Sequence, residues 1–290
     1  MLDELERSGA ATVIRSETNL GYAGAVNRVL PRCRGRYVGV VNVDVEAEPD
    51  WLEPLVEFMD GHPEVGAVSP LIMLADGAAI NAAGQELQIA ALGFNRGLDQ
   101  PRESVGECPF AVTGLHGAAF VIRRAVLERA EGMDATGFLY HEDVNLSWLL
   151  RMMGEEIYCI PASVLHHDYF LTMDAAKFHL LERNRVAMLQ AYLEPRTRLL
   201  LAPVILFTEA VLWSYAAMRG AAFLSAKLRS YRWVRHRREE IAVRRRLGER
   251  VRTRSDLKVL HGLKWGYPLP QLRTLAGERR GVKSVRNRAS

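Results

Sequence analysis

The chain has 290 residues, 49% hydrophobic and 25% charged, with 23 Gly and 12 Pro in no fixed period; these globular values exclude disorder as the main state and the collagen-like and low-complexity classes. Cys33, Cys108 and Cys159 are too few and too far apart for a disulfide scaffold or a thiolate zinc site, and a reducing compartment is the simpler reading. The net charge of +4 hides an asymmetry, because residues 219–290 carry 21 Lys+Arg against 5 Asp+Glu and the remainder 17 against 29, so an acidic working half precedes a basic half suited to a membrane surface or nucleic acid.

Met1–Gly9 reads as a polar helical turn. Ala11–Arg15 is a β-branched run and reads as a strand, followed by a Gly- and Asn-rich turn over 19–24 and a helix over 25–32. Tyr37–Val41 is a continuous apolar run, as expected of a strand buried on both faces, and it ends at Asn42-Val43-Asp44. A helix opens at Glu48-Pro49-Asp50-Trp51, with acids at its positive end, and reaches Gly61; Val65–Ser69 is the next strand. Strand, helix, strand, helix, strand predicts an α/β fold with a mostly parallel sheet. Residues 71–113 read as short strands and loops, 123–129 as a short helix, and 142–153 as a helix. A strand over 156–160 ends at Pro161, a short extended segment leads to His166-His167, and 174–192 is an amphipathic helix. Leu199–Met218 is twenty residues with one charge, Glu209. At ~1.5 Å per residue it just matches a hydrocarbon core of ~30 Å, but Pro203 and Glu209 interrupt it. Arg219, Lys227, Arg229, Arg232, Arg235, Arg237 and Arg238 follow, with Trp213, Tyr215, Tyr231 and Trp233 interleaved. That pattern fits a segment lying in or dipping into the cytoplasmic membrane interface; a core helix of a helical subdomain is the alternative. No helix-turn-helix, zinc or RNA-binding motif supports a nucleic-acid partner.

Four groups carry chemistry. Asp44 stands at the carboxyl end of a buried strand, the edge where open α/β sheets bind ligands, with Asn42 two residues earlier. Such a carboxylate suits a divalent cation held against a diphosphate, or else it caps a turn. Glu142-Asp143 open a helix whose dipole favours their ionised forms. An ionised carboxylate facing a cleft can take the proton of an attacking hydroxyl, and simple capping is the competing explanation. A histidine after a strand can ligate a metal, but spacing does not choose between His166 and His167. Arg183-Asn184-Arg185 offer guanidinium forks that bind phosphate, or merely cover a helix surface.

Taken together the pieces resemble family 2 of the inverting glycosyltransferases, in its rhamnosyltransferase-like branch. The resemblance is carried by Asn19-Leu20-Gly21-Tyr22-Ala23-Gly24-Ala25-Val26-Asn27, by Val41–Asp44 with Pro49–Leu52, and by Gly117–Arg124. It is closest over Gly137–Trp148, followed by Pro161–His166, and covers about residues 11–195. It implies a GT-A (nucleotide-diphospho-sugar transferase) fold over 1–195, followed by an apolar and basic helical membrane-association region over 196–290. It implies transfer of a sugar, rhamnose being the branch's example, from a nucleoside-diphosphate sugar to a cell-surface glycan or lipid-linked acceptor. The expected cofactor is Mg²⁺ or Mn²⁺ and the expected place the cytoplasmic face of the plasma membrane, with an anionic surface as a further partner and no nucleic acid. By resemblance, Asp44 and His166 match the metal site, Asp143 the general base with Glu142 supporting it, and Asn19, Gly21, Gly24, Asn27 and Asn42 the donor-binding residues. Arg183 and Asn184 match a phosphate or acceptor contact.

The family usually opens with a strand, a helix and a second strand carrying Thr-Tyr-Asn-like and Asp-Asn-x-Ser-like motifs, and neither motif is present. An N-terminally shortened GT-A domain is therefore expected, with a non-catalytic remnant or partner subunit as the alternative function. Asn145 also stands where many relatives have Asp, and Asn42 replaces the first acid of the D-x-D-type motif.

Overall fold

The structure is a computed structural model that describes residues 2–169, 172–268 and 271; the rest of the basic region, 269–270 and 272–290, lies outside the described residues. A polar helix, α1 (Leu2–Arg7), begins the chain. Ala11–Arg15 forms no regular element and joins no ladder, which corrects the predicted strand. β-branched residues favour extension, but only hydrogen bonds to a neighbouring strand make a β-strand stable, and none of the described strands lies along it. The next helix, α2 (Gly21–Val29), begins four residues earlier than the composition suggests. It starts at the glycine because Asn19 Oδ1 accepts the Gly21 N–H at 3.0 Å.

The central sheet is mixed rather than mostly parallel. Its strands are β1 (Tyr37–Val41), β2 (Val45–Ala47), β3 (Val65–Leu74), β4 (Ile80–Ala82), β7 (Phe110–Ala111), β8 (Ala119–Arg123) and β9 (Glu156–His167). The order is β1-β8-β3-β9-β2, with β4 on β3 and β7 on β9. β8 runs antiparallel between β1 and β3, so these two share a direction without touching, and β3 with β9 is the parallel pair. Periodicity had identified β1 and β3 but could not see that a later strand would be inserted between them. β9 also passes through Pro161 instead of ending there. Its register against β3 slips between Ile160 and Val164, so the proline sits in a bulge, where a missing N–H costs no ladder bond. A small hairpin, β5 (Gln85–Leu87) with β6 (Gly93–Asn95), stands beside the sheet.

One sheet face is covered by α3 (Glu53–Gly61), whose Leu55 and Met59 pack on Val65, Val68, Val121 and Ile160. The other carries the main core, into which α5 (Glu142–Met153) inserts Leu146, Trp148, Leu149, Leu150 and Met152. Each such buried side chain stabilises the fold by about 1.5–3 kcal/mol. A short helix, α4 (Arg124–Arg129), completes that side, and the long α6 (Ala175–Tyr192) is capped by Asp174, whose Oδ1 accepts the Lys177 N–H at 2.7 Å.

Beyond α6 come α7 (Pro195–Leu200), α8 (Ala202–Arg219), α9 (Ala221–His236), α10 (Arg238–Val251) and α11 (Asp256–Leu260). Among the described residues no helix is long and apolar enough to cross a membrane. α9 and α10 pack on α6, and α10 and α11 on α5. Lys264 then pairs with β5 and its following loop, donating to Leu87 O and accepting from Ile89 N. Glu209, which the sequence pattern leaves as a costly charge in an apolar run, instead faces inward onto Arg185 and Lys227.

Candidate functional site

The site gathers at the sheet end where β1 and β9 finish and β8 begins. After β1 the chain crosses that end to reach β2 on the far edge. On the way Asn42 N–H donates to Ala118 O at 2.9 Å, and Asp44 O accepts the Asp168 N–H at 3.1 Å. Asp44 is thereby fixed between the start of β8 and the end of β9, with half of its side chain in solvent.

The histidine brought to Asp44 is His167, not His166. Its Nε2 lies 3.5 Å from Asp44 Oδ2, while its Nδ1 meets Asn81 Oδ1 at 2.9 Å. Successive residues of a strand point to opposite faces. β9 pairs His167 with Val45 and His166 with Glu46, so His166 turns away and its Nε2 meets Glu48 Oε1 at 3.0 Å. Burial lowers the His167 pKa against the pull of Asp44, so the ring is neutral at physiological pH and has a lone pair to offer. A second buried histidine, His116, stands edge-on to His167 with ring centroids 6.1 Å apart. Burial, reinforced by His167, pushes its pKa down to about 3. Among the described residues no cluster of three or more His, Cys, Asp and Glu is arranged to hold a metal ion. A carboxylate and an imidazole side by side are a chemically fitting pair for Mg²⁺ or Mn²⁺ when phosphate and water supply the other ligands.

The tripeptide His116–Ala118 links this pair to the acids. Gly117 N–H donates to Asp143 Oδ2 at 3.0 Å, and Gly117 O accepts the Tyr22 hydroxyl at 2.5 Å. Asp143 receives two more N–H donors, Gln85 Nε2 at 2.9 Å and Val144 N at 2.8 Å. Burial raises its pKa while the backbone N–H groups of Val144 and Gly117 oppose that rise. Glu142 has no such support. Its Oε2 is buried without a partner, and burial together with the Asp143 charge pushes it up to about 8. Within this coupled pair the three N–H donors favour the charge on Asp143, and the unpartnered Oε2 favours the proton on Glu142.

Three consecutive features deliver these acids from a strained loop. Phe138, Tyr140 and His141 have φ of 65°, 64° and 72°, the left-handed region that costs a non-glycine residue energy. Asn184 holds that loop, its Nδ2 lying 3.2, 3.1 and 2.8 Å from the carbonyls of Gly137, Leu139 and Tyr140. Arg183 donates to Gly137 O at 2.9 Å and stacks on Trp233 at 4.5 Å. His141 Nε2 is anchored on Ala91 O at 2.7 Å. Arg183 and Asn184, expected at a phosphate or acceptor contact, thus clamp this loop.

Asn27 likewise turns inward. Its Nδ2 donates to Met133 O and its Oδ1 accepts Met133 N–H, both at 2.8 Å, so both ends are used inside the protein. Gly21 is required where α2 meets that loop: its φ is +69°, and a Cβ there would lie 2.0 Å from Phe138 O. Asn19 serves the same turn, and Gly24 lies on α2 close to Leu20. Asn145, on α5, donates to Asp134 Oδ2 at 3.3 Å and accepts from the Tyr192 hydroxyl at 3.0 Å. An aspartate there would face Asp134 with a like charge. A cavity of about 20 Å³, room for a water molecule, opens between Asp134, Tyr140, Glu142, Asn145, Asn184 and Trp233.

Sequence reasoning missed Gln85 and His116, because a glutamine opening a short hairpin strand and a histidine in a loop carry no motif of their own.

Residues 1–129 match the family model described as glycosyl transferase family 2. Among characterised proteins, an N-acetylglucosaminyl-diphospho-decaprenol L-rhamnosyltransferase of Mycobacterium tuberculosis is 28% identical over 207 residues, 62% of this chain and 66% of that protein. A pre-mycofactocin glycosyltransferase of the same species is 29% identical over 160 residues, 54% of this chain and 32% of that protein. The matches thus span just under two thirds and about a third of those relatives. The crystal structure of GalNAc-T7 with UDP, GalNAc and Mn²⁺ superposes with a TM-score of 0.62 at 16% identity, covering 89% of this chain and 46% of that one. Over residues 1–129 the chain is thus similar to glycosyl transferase family 2, and its mixed α/β architecture is a GT-A-like fold.

Proposed function

We propose that the chain is an inverting glycosyltransferase. It moves a sugar from a nucleoside-diphosphate sugar to a hydroxyl of a cell-surface glycan or lipid-linked acceptor. Rhamnose is the sugar favoured by the rhamnosyltransferase relative, whose name also carries a diphospho-decaprenol acceptor. The observation that carries this reading is the strap His116–Ala118. It joins the Asp44–His167 pair to the Asp143 carboxylate within one short segment.

The chemistry follows from those positions. Asp44 and His167 are the residues that would hold Mg²⁺ or Mn²⁺, which supplies positive charge to the departing diphosphate. Mn²⁺ accompanies UDP in the GalNAc-T7 structure. Asp143, pinned by three N–H donors that favour its charged form, takes the proton of the acceptor hydroxyl as its oxygen attacks the anomeric carbon. The bond from that carbon to the diphosphate oxygen breaks on the opposite side, so one displacement inverts the centre. Glu142 keeps its proton and spares the site a second negative charge beside the base.

The test is transfer from a panel of nucleotide sugars with Mg²⁺ or Mn²⁺, with the product anomer read by NMR. Asp143→Asn should lower kcat by roughly 10²–10⁴, and Asp44→Ala should weaken donor binding. A wild-type chain that neither binds nor turns over any donor, or an Asp143→Asn variant as fast as wild type, would refute the assignment.

A further inference from the structure

A surface helix ordinarily turns its polar stripe to water and its apolar stripe inward. α8 does the reverse. Two of its polar groups face the protein: Thr208 is fully buried, and Glu209 bonds Arg185, Lys227 and the Tyr231 hydroxyl. Its outward stripe is mostly apolar, with Leu206 67%, Phe207 61% and Met218 79% exposed and Ala210, Ser214 and Ala217 between them, the Ser214 hydroxyl donating to Ala210 O. Leu199 and Leu200 of α7 extend the stripe at 78% and 68%.

The charge around it is of one sign. Between residues 196 and 237 there are eight Lys+Arg and one acid, Glu209. Lys227 and Glu209 neutralise each other inside, so the outward side carries arginines and no carboxylate. Gly220 reverses the chain, and α9 returns along α8. The stacking of Trp213 on Tyr231 fixes this register and brings the exposed Arg229, Arg232 and Arg235 back alongside the middle of α8.

We propose that the outer face of α7–α9 docks on an anionic lipid bilayer, with α8 lying in the plane of the headgroups. Apolar side chains enter the interfacial layer and the arginines meet lipid phosphates. A second copy of the chain fits less well, since it would bring the same cations face to face. This docking stands apart from the transfer reading, because it is measured with no donor present.

The test is co-sedimentation of the full chain with vesicles of phosphatidylglycerol and phosphatidylcholine, against vesicles of phosphatidylcholine alone. Binding should be confined to the anionic vesicles and weaken with salt. Leu206→Gln with Phe207→Gln should weaken partition at least about tenfold. Arg229→Gln with Arg232→Gln and Arg235→Gln should weaken it about a hundredfold at low salt and flatten the salt dependence. All five positions are exposed, and unchanged circular dichroism and melting would certify the fold of each variant. A fluorophore on Met218→Cys should be quenched by a headgroup-level spin label. Equal binding to neutral vesicles, no binding by wild type, or variants that partition like wild type would overturn the proposal. So would a concentration-dependent dimer that the Leu206/Phe207 variant abolishes while vesicle binding is unchanged.

Discussion

Lys227→Met tests how α6, α8 and α9 are held together. Lys227 has no solvent exposure; its ammonium bonds Glu182 and lies 2.8 Å from Glu209 Oε2. Arg185, equally buried, takes Glu182 through Nε at 2.8 Å and Nη2 at 3.0 Å, and bonds Glu209 as well. Two cations and two carboxylates thus make a neutral quartet, and removing one cation leaves a net negative charge inside the protein. Breaking a buried pair by deleting one partner costs about 3–5 kcal/mol, or roughly a 10 °C fall in melting temperature for a chain of this size. The pH dependence adds a signature. Burial alone would raise both acids, but Arg185 and Lys227 reverse this, lowering Glu182 and bringing Glu209 down to about 2. Acids held below their unfolded values stabilise the fold above the unfolded pKa and lose that contribution as pH falls toward the folded one. For Glu209, whose side chain keeps some solvent exposure, this part amounts to about 1–2 kcal/mol after screening. Wild type should therefore lose stability between about pH 5 and pH 2 more steeply than Lys227→Met. The gap between them, measured by urea unfolding, should be widest at pH 7 and narrow toward pH 4. Adding Glu182→Gln should recover part of the loss by restoring neutrality. A difference under about 1 kcal/mol at pH 7, or one that does not change with pH, would refute the quartet as a net stabilising unit.

Glu142→Gln should remove an alkaline limb from the transfer rate near pH 8, where wild type puts a second charge beside Asp143. The same raised pKa means the folded state binds more protons than the unfolded one between about pH 4.5 and 8, so wild-type stability should decline across that window and the variant's should not; urea midpoints at both ends check the sign. Asn184→Ala should cost about 1–3 kcal/mol and speed hydrogen exchange over residues 137–141. Asn184→Asp should be worse, since it faces three carbonyls with acceptors alone. Gly21→Ala should cost roughly 2–4 kcal/mol, because a left-handed backbone and a 2.0 Å approach to Phe138 O leave no room for a Cβ; a melting temperature equal to wild type would contradict that geometry.

Elements with a strong local signature were legible. The helix that opens at Glu142, the long helix capped by Asp174 and β1 all stand where their patterns put them, but β1, expected to be buried on both faces, ends the sheet order with Gly39 and Val41 exposed. What failed depended on partners distant in sequence. Ala11–Arg15 has the composition of a strand and no strand beside it. β8 enters between β1 and β3 from more than forty residues downstream of β3's end, reversing the expected parallel pairing. Pro161 is tolerated because a bulge in β9 faces β3 there. Glu209 escapes the cost of a charge in an apolar helix only because Arg185 and Lys227 lie 24 and 18 residues away along the chain and next to it in space.

The candidate site divides along the same line. Asp44, expected at a strand end, and Glu142 and Asp143, expected at a helix start, stand at those places and gather near the start of β8. Motif residues with amide or guanidinium groups, Asn27, Arg183 and Asn184, turn inward and spend their hydrogen bonds on backbone carbonyls and N–H groups. Residue type alone cannot separate these uses, because an amide that binds a ligand and one that braces a strained loop offer the same donor and acceptor. The choice between His166 and His167 was open for a related reason. One step along a strand reverses the face, and only the pairing of β9 with β2 says which imidazole meets Asp44. The acids therefore stand out in the chain, but the arrangement that gathers them depends on the Gln85 amide, the His116–Ala118 strap and the clamp on residues 137–140, contacts that come into being only once the sheet has closed.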